Sequence, residues 1–278
     1  MLKDIRVHAI KIGTLFNSET TRAVAAGLRA HFKAHGPVPF VCDSIYVSDY
    51  GVVLSGEDVR TIVKELFPLA HVVTLSEADA QYLLNIGGQP SRITSLDDML
   101  VAAKNILAVG VQAVLLKGGQ TVVSVDDIRS VKARNDTVID VKSDFPLGEN
   151  IEILGISGST ETKDHVVDVL CRASITEPGA FAITLYPRLC FTSKNVQGVN
   201  APFSAALACA LGNGSEGKCF LRTSMPRSPT HTLTVEEAAA QASTFTRLGV
   251  ETAMSFGKDG NSPTLNHLHS TSRLVVHP

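Results

Sequence analysis

The chain has 278 residues, of which 44% are hydrophobic and 19% charged, with a net charge of −2, so it holds apolar material for one large domain or two small ones. It has no basic tract and no tryptophan, which argues against a nucleic-acid partner and against exposed base-stacking platforms. No apolar run is long enough to span a bilayer and no leader pattern opens the chain, so a soluble, cytoplasmic protein with no membrane partner is expected. Taken in order, Asp4 to Ile12 alternates and ends at Gly13, a strand followed by a turn. A helix follows from the Asn17-Ser-Glu-Thr sequence through Phe32, with Ser18 as its N-cap. Pro39 to Cys42 is a short buried strand that stops at the carboxylate of Asp43, and Glu57 to Leu66 is helical. His71 to Leu75 is a strand, and Ser76-Glu-Ala-Asp opens a helix through Leu84 with acids in its first turn. Ser95 to Val109 is the clearest amphipathic helix, with Ser95 and Asp98 in a capping-box arrangement and Gly110 as its stop. Val114 to Leu116 is a strand that runs straight into Lys117-Gly118-Gly119.

Beyond Gln120 the pattern decays, and residues 120–163 read as an excursion from the sheet, one hairpin with mobile parts. His165 to Leu170 and Phe181 to Leu185 resume strand character. A Gly-Val-Asn-Ala loop then leads through Pro202 into Phe203 to Gly212, a helix apolar all round and so expected to be buried, with Gly212 as its stop. Residues 213–232 read as a second irregular insertion, and Thr234-Val-Glu-Glu starts a last helix running to about Phe245. Short apolar strands alternating with helices argue a single α/β domain over 1–278, its parallel sheet covered on both faces. Ligands of such sheets bind beyond the C-terminal ends of the strands. Asp43, Thr74 to Asp79, Lys117 to Gly119 and the Gly198 loop share that address and are expected to form one site.

Within it, Lys117 can set an ammonium beside a phosphate while Gly118 and Gly119 let the backbone approach; the alternative is a lysine at an ordinary tight turn. A buried helix N-terminus behind Gly198 suits the same anion; the alternative is a core helix with an ordinary entry loop. Asp43 and Asp79 are candidates to share a hydrated Mg²⁺, a metal that takes few protein carboxylates; the alternative for Asp79 is a capping acid. Asp168 reads as a strand-edge residue, with a substrate-side acid as the alternative, His165 has no evident partner, and His267 and His269 alternate and so cannot hold one metal together if extended. The five cysteines (Cys42, Cys171, Cys190, Cys209 and Cys219) form no CxxC pair, which indicates neither a zinc site nor a disulfide framework. Cys42 and Cys209 are expected as buried thiols, and no cysteine is nominated as a nucleophile.

Together, DIRVHAIKIGTLFN, VPFVCDSIYVSDYG, VVTLSEADAQYLL, ITSLDDMLVAAKNIL, VQAVLLKGG, HVVDVL, TSKNVQGVNAPFSAALACAL and the tail GVETAMSFGKDGNSPTLNHLHS resemble the hydroxymethylpyrimidine/phosphomethylpyrimidine kinase family of thiamine biosynthesis, its fungal branch most. A pyridoxal-type kinase shares the superfamily, and the Asn-His-Leu-His tail favours the pyrimidine branch. The resemblance implies a ribokinase-like three-layer α/β/α sandwich with a mostly parallel sheet, here without the family's N-terminal strands and Gly-rich substrate loop. It implies transfer of the ATP γ-phosphoryl group to a pyrimidine alcohol or its monophosphate, with ATP and Mg²⁺ as cofactors. Family members commonly pair, which leaves a homodimer open.

The departures are as specific as the matches. The family's Gly-Thr-Gly-Cys anion hole corresponds to Gly198-Val199-Asn200-Ala201, so Ala201 stands at the cysteine position, and the next residue is Pro202, which has no N–H. The family's Thr-Pro-Asn-x-x-Glu appears as Thr74-Leu75-Ser76 with Asp79 at the acid position. Its Asp-Pro-Val-Met is reduced to Asp43-Ser44-Ile45-Tyr46, and the histidine after Lys-Gly-Gly is Gln120. The chain is therefore expected to be a degraded kinase with nucleotide and phosphate contacts at Lys117, Gly118, Gly119, Gly198 and Asn200, no catalytic cysteine, and weak or lost activity. The alternative is a non-catalytic binding or interaction protein.

Overall fold

The computed structural model describes residues 6–43, 46, 53–89, 91–119, 121–134, 138–141, 165–175, 178–189, 200–214, 233–251, 254–255 and 263–264. Strand β1 (Ile10–Ile12) leads into α1 (Ser18–His35), β2 (Phe40–Asp43) and α2 (Gly56–Glu65). Next come β3 (Val72–Ser76), α3 (Glu77–Ile86), α4 (Leu96–Leu107) and β4 (Ala113–Lys117). The chain continues through α5 (Val125–Lys132), β5 (Val138–Val141), β6 (His165–Ala173) and β7 (Phe181–Leu189). It closes with α6 (Asn200–Gly214), α7 (Val235–Glu251) and a ribbon of β8 (Met254–Ser255) with β9 (Pro263–Thr264).

The main sheet has seven strands in the order β1-β2-β3-β4-β6-β7-β5. The first four run parallel, β6 is antiparallel to both β4 and β7, and β5 is parallel to β7. Side chains alternate across each strand, so every strand supplies both faces. Phe40, Cys42, Val73, Leu75, Val114, Leu116, Val167 and Val169 pack into one core with helices α1 to α5. Val41, Val72, Leu115 and Leu170 pack into a second core with α6 and α7. The result is the mostly parallel three-layer α/β/α arrangement that the alternation of elements implies.

Several local expectations are revised by the structure. Helix α1 is capped by Asn17, whose side chain accepts from the Thr20 amide at 2.8 Å, not by Ser18. The Ser18 amide and hydroxyl both donate to Asp58 Oδ1 at 2.7 Å, which ties α1 to the first turn of α2. Ser95 caps α4, but Asp98 turns back to the Thr94 amide and hydroxyl instead of completing a box. After Gln120 the structure shows α5 and the strand β5, which pairs parallel with β7; residues 142–164, where the rest of the expected excursion falls, lie outside the described residues. Helix α6 passes Gly212 and ends at Gly214. A Cβ on Gly212 would stand 3.0 Å from that of Ala9, so this glycine serves a close approach to the chain before β1. Helix α6 is largely buried, yet Ala201, Ala205 and Cys209 form an exposed stripe one turn apart, so Cys209 is not the buried thiol expected. Cys42 is buried. Burial pushes the Cys171 thiol up to about 12, against a smaller opposing pull from Lys104, which keeps it protonated and inert. No helix among the described residues is long and apolar enough to cross a membrane.

Candidate active site

The strand registers place five ionisable side chains in a row on the face covered by α6 and α7. Lys11 in β1 is the partner of Val41, two residues before Asp43 and on its face. Asp43 pairs with Thr74, and Ser76, on the face of Thr74, pairs with Lys117. Val169 pairs with Leu116 on the opposite face, which leaves Asp168 on the face of Lys117, and Arg188 pairs with Val166 beside it. Read across the sheet, the order is lysine, aspartate, lysine, aspartate, arginine, with Thr74 between the second and third. The row lies near the C-terminal ends of the parallel strands.

Asp43 is the hub. Its Oδ1 accepts from the Thr74 hydroxyl at 2.7 Å and from Lys117 Nζ at 3.2 Å. Its Oδ2 accepts from the Ser204 hydroxyl of α6 at 2.6 Å and faces Lys11 Nζ at 3.6 Å. Asp43 is 1% exposed and Lys117 6%, so both charges are desolvated and depend on one another. Burial alone would raise the Asp43 pKa. Lys117, the Ser204 and Thr74 hydroxyls and Lys11 together outweigh it and hold the carboxyl below the ordinary carboxylate range. With two ammoniums around one carboxylate, this end of the row carries a surplus positive charge.

The Lys117-Gly118-Gly119 turn is held from three sides. The Gly118 amide donates to Asp168 Oδ1 at 2.9 Å, and Arg188 donates both to that oxygen at 2.8 Å and to the Gly118 carbonyl at 2.9 Å. Ser243 of α7 reaches Asp168 Oδ2 at 3.4 Å. On the other side, Glu77 Oε1 accepts from the Gly119 and Thr121 amides at 3.1 Å, while its Oε2 accepts from the Thr121 hydroxyl at 3.0 Å. Asp168 is thus a buried residue of a central strand, not the edge residue expected. Glu77, Lys11, Arg188 and Ser204 were not singled out by the sequence. Each is an ordinary residue in its local pattern, and its role arises from contact with segments distant in sequence.

Asp79 lies in the first turn of α3, just beyond the end of β3. Its Oδ1 accepts from the Tyr46 amide at 2.7 Å, and its Oδ2 accepts from the Ser76 hydroxyl at 2.5 Å and the Ser76 amide at 3.3 Å, completing the capping box of α3. Asp43 and Asp79 are both buried, and both oxygens of each are already engaged. Among the described residues no group of three or more His, Cys, Asp or Glu side chains is placed to hold a metal ion. In this arrangement neither carboxylate presents an uncommitted oxygen to a metal ion. Helix α6 begins at Asn200, and its Ser204 contact sets its first turns over Asp43. Of the first four residues of α6, Pro202 alone brings no N–H to the helix N-terminus. Ala201 is exposed. Gly198, like His267 and His269, lies outside the described residues.

The sequence model of the family described as phosphomethylpyrimidine kinase matches residues 1–152. A hydroxymethylpyrimidine/phosphomethylpyrimidine kinase from Rhizobium meliloti is 35% identical over 122 residues, 43% of this chain and 42% of the relative. A putative kinase of the same name from Schizosaccharomyces pombe is 32% identical over 145 residues, 51% of this chain and 26% of the relative. The chain thus spans less than half the length of the curated relatives it matches. Among solved structures, an ADP complex of Bacillus subtilis pyridoxal kinase superposes with a TM-score of 0.61 at 20% identity, covering 96% of this chain and 73% of that one. Pyridoxal kinase from Staphylococcus aureus in complex with AMP-PCP gives a TM-score of 0.56 at 20% identity over 96% and 70% of the two chains. At these identities the two kinases establish the fold.

Proposed function

Because the chain belongs to the phosphomethylpyrimidine kinase family, we propose that the lysine–aspartate row binds the phosphates of ATP and that transfer to a hydroxymethylpyrimidine or its monophosphate is weak or lost. The observation that carries this reading is the placement of Lys11 and Lys117 on either side of the buried Asp43, beneath the first turns of α6. Phosphoryl transfer is mostly a matter of positioning and of stabilising charge on the transferring group. Lys117 and Lys11 supply positive charge, Asp43 fixes both ammoniums, and the Glu77 and Asp168 contacts hold the Gly118–Gly119 backbone in one conformation for the phosphates. Mg²⁺ arriving with the nucleotide would supply charge neutralisation, with Asp43 the carboxylate that faces it through water, while Asp79 remains a helix cap.

Turnover is set by the start of α6. Pro202 removes one donor from the N-terminal amides, and loss of one such donor lowers rates by about 10²–10³. Asn200 and Ala201 take the places of the family's second glycine and its cysteine. The test is a coupled assay of phosphoryl transfer to hydroxymethylpyrimidine, with an intact relative as the control. The native chain is expected to run at least about a hundredfold slower than that relative. The triple variant Asn200→Gly, Ala201→Cys, Pro202→Thr is expected to recover at least about tenfold. Robust phosphorylation by the native chain would show that these losses are tolerated. No turnover in either chain, with nucleotide still bound, would favour a binding protein without catalysis.

A further inference from the structure

On the outer side of the helical layer opposite α6 and α7, helices α2, α3 and α4 enclose an open groove of about 450 Å³, a size typical of small-molecule sites. Helix α2 forms one wall with two adjacent rows. Val59 and Val63 point inward, and Arg60 and Lys64 stand one position further round the helix, one turn apart. The floor and far wall are mainly apolar, from Leu84, which is buried, to Val109, which is 46% exposed, and Asn105 and Gln89 add carboxamides. Among the described residues no acidic side chain lines the groove, and neither Arg60 nor Lys64 forms an ion pair. Two uncompensated cations over an apolar trough stand out on a chain whose net charge is −2. The nucleotide row lies on the other face of the sheet, with α6 and α7, so the groove is separate from it.

We propose that this groove is a binding site for an amphipathic carboxylate, its head between Arg60 and Lys64 and its hydrocarbon tail along Val63, Leu84 and Val109. Charge complementarity selects an anionic head, and the apolar walls select a tail rather than a polar metabolite. The probe is decanoate, titrated calorimetrically into the intact chain below its micelle concentration, alongside decyltrimethylammonium as the charge-reversed arm. Decanoate is expected to saturate one site per chain, with no saturable heat from the cationic amphiphile. Arg60→Ala with Lys64→Ala should weaken decanoate at least tenfold. Val63→Asp should weaken it as much or more, and thermal melts report the fold of each variant. Arg60 and Lys64 are exposed, so their substitution is compatible with folding, while Val63 is half-buried against the core and its variant is read only where the melt shows it folded. Absence of saturable binding, equal binding of both amphiphiles, or binding unchanged in both variants would overturn the proposal. Nucleotide binding, measured in parallel, stands or falls independently of it.

Discussion

Gly118→Ala is expected to destabilise the chain by about 3 kcal/mol or more, while Gly119→Ala is neutral to within about 0.5 kcal/mol. A Cβ on Gly118 would lie 2.8 Å from the Val167 carbonyl carbon and closer still to its oxygen, both backbone atoms of a central strand. No side-chain rotation relieves such a clash, so either the β4–β6 pairing opens or the turn moves. Moving the turn breaks the Gly118 contacts with Asp168 and Arg188, and those with Gly119 and Thr121 held by Glu77. At Gly119 an added Cβ meets nothing within 4 Å. Thermal melts of the two variants check the contrast, with a fall in Tm of about 6 °C or more expected for the first and almost none for the second. Two melts that match would mean that the turn is not locked against β6.

Asp43→Ala is expected to lower stability by about 3–5 kcal/mol, because it leaves Lys117 buried without its carboxylate. Lys117→Met is expected to be milder, since Asp43 keeps Thr74, Ser204 and Lys11. The same pairing appears in the pH dependence. The folded-state pKa of Asp43 lies below its unfolded value, so its contribution is complete above about pH 4 and is lost as the pH falls through the lower folded-state value. Asp43→Asn should therefore remove part of the acid limb of the stability curve while leaving its slope above pH 5 unchanged. Urea unfolding between pH 2.5 and 7 measures both. An acid limb unaltered in Asp43→Asn would mean that other carboxylates carry it.

The fold was largely legible because short apolar strands and capped helices have local signatures. The amphipathic helix after Ser95 and the strands read as reaching Cys42, Leu75 and Leu116 were readable from spacing alone, each one residue short of the end the structure gives it. The direction of a strand has no such signature. HVVDVL reads the same whether β6 runs with β4 or against it, and its antiparallel run is what places Asp168 beside the Lys117 turn. The site was legible where a residue closes an element, as Asp43 and Lys117 do. It was hidden where a residue lies within one. Lys11 alternates in a strand as any polar residue does, and Glu77 looks like a routine first-turn acid of α3. Their roles depend on loops brought together by the sheet, and no spacing within either segment encodes them.

The proposed assignment of the row to the nucleotide's phosphates is tested most directly by calorimetric titration of the intact chain with ADP in the presence of Mg²⁺, repeated with Lys117→Met and with thermal melts of both proteins. The expected result is one saturable site in the native chain and at least tenfold weaker binding in the variant, about 1.4 kcal/mol, with the fold retained. A native chain that binds no ADP, or a folded Lys117→Met variant that binds it as tightly, would contradict the assignment of the row to the nucleotide.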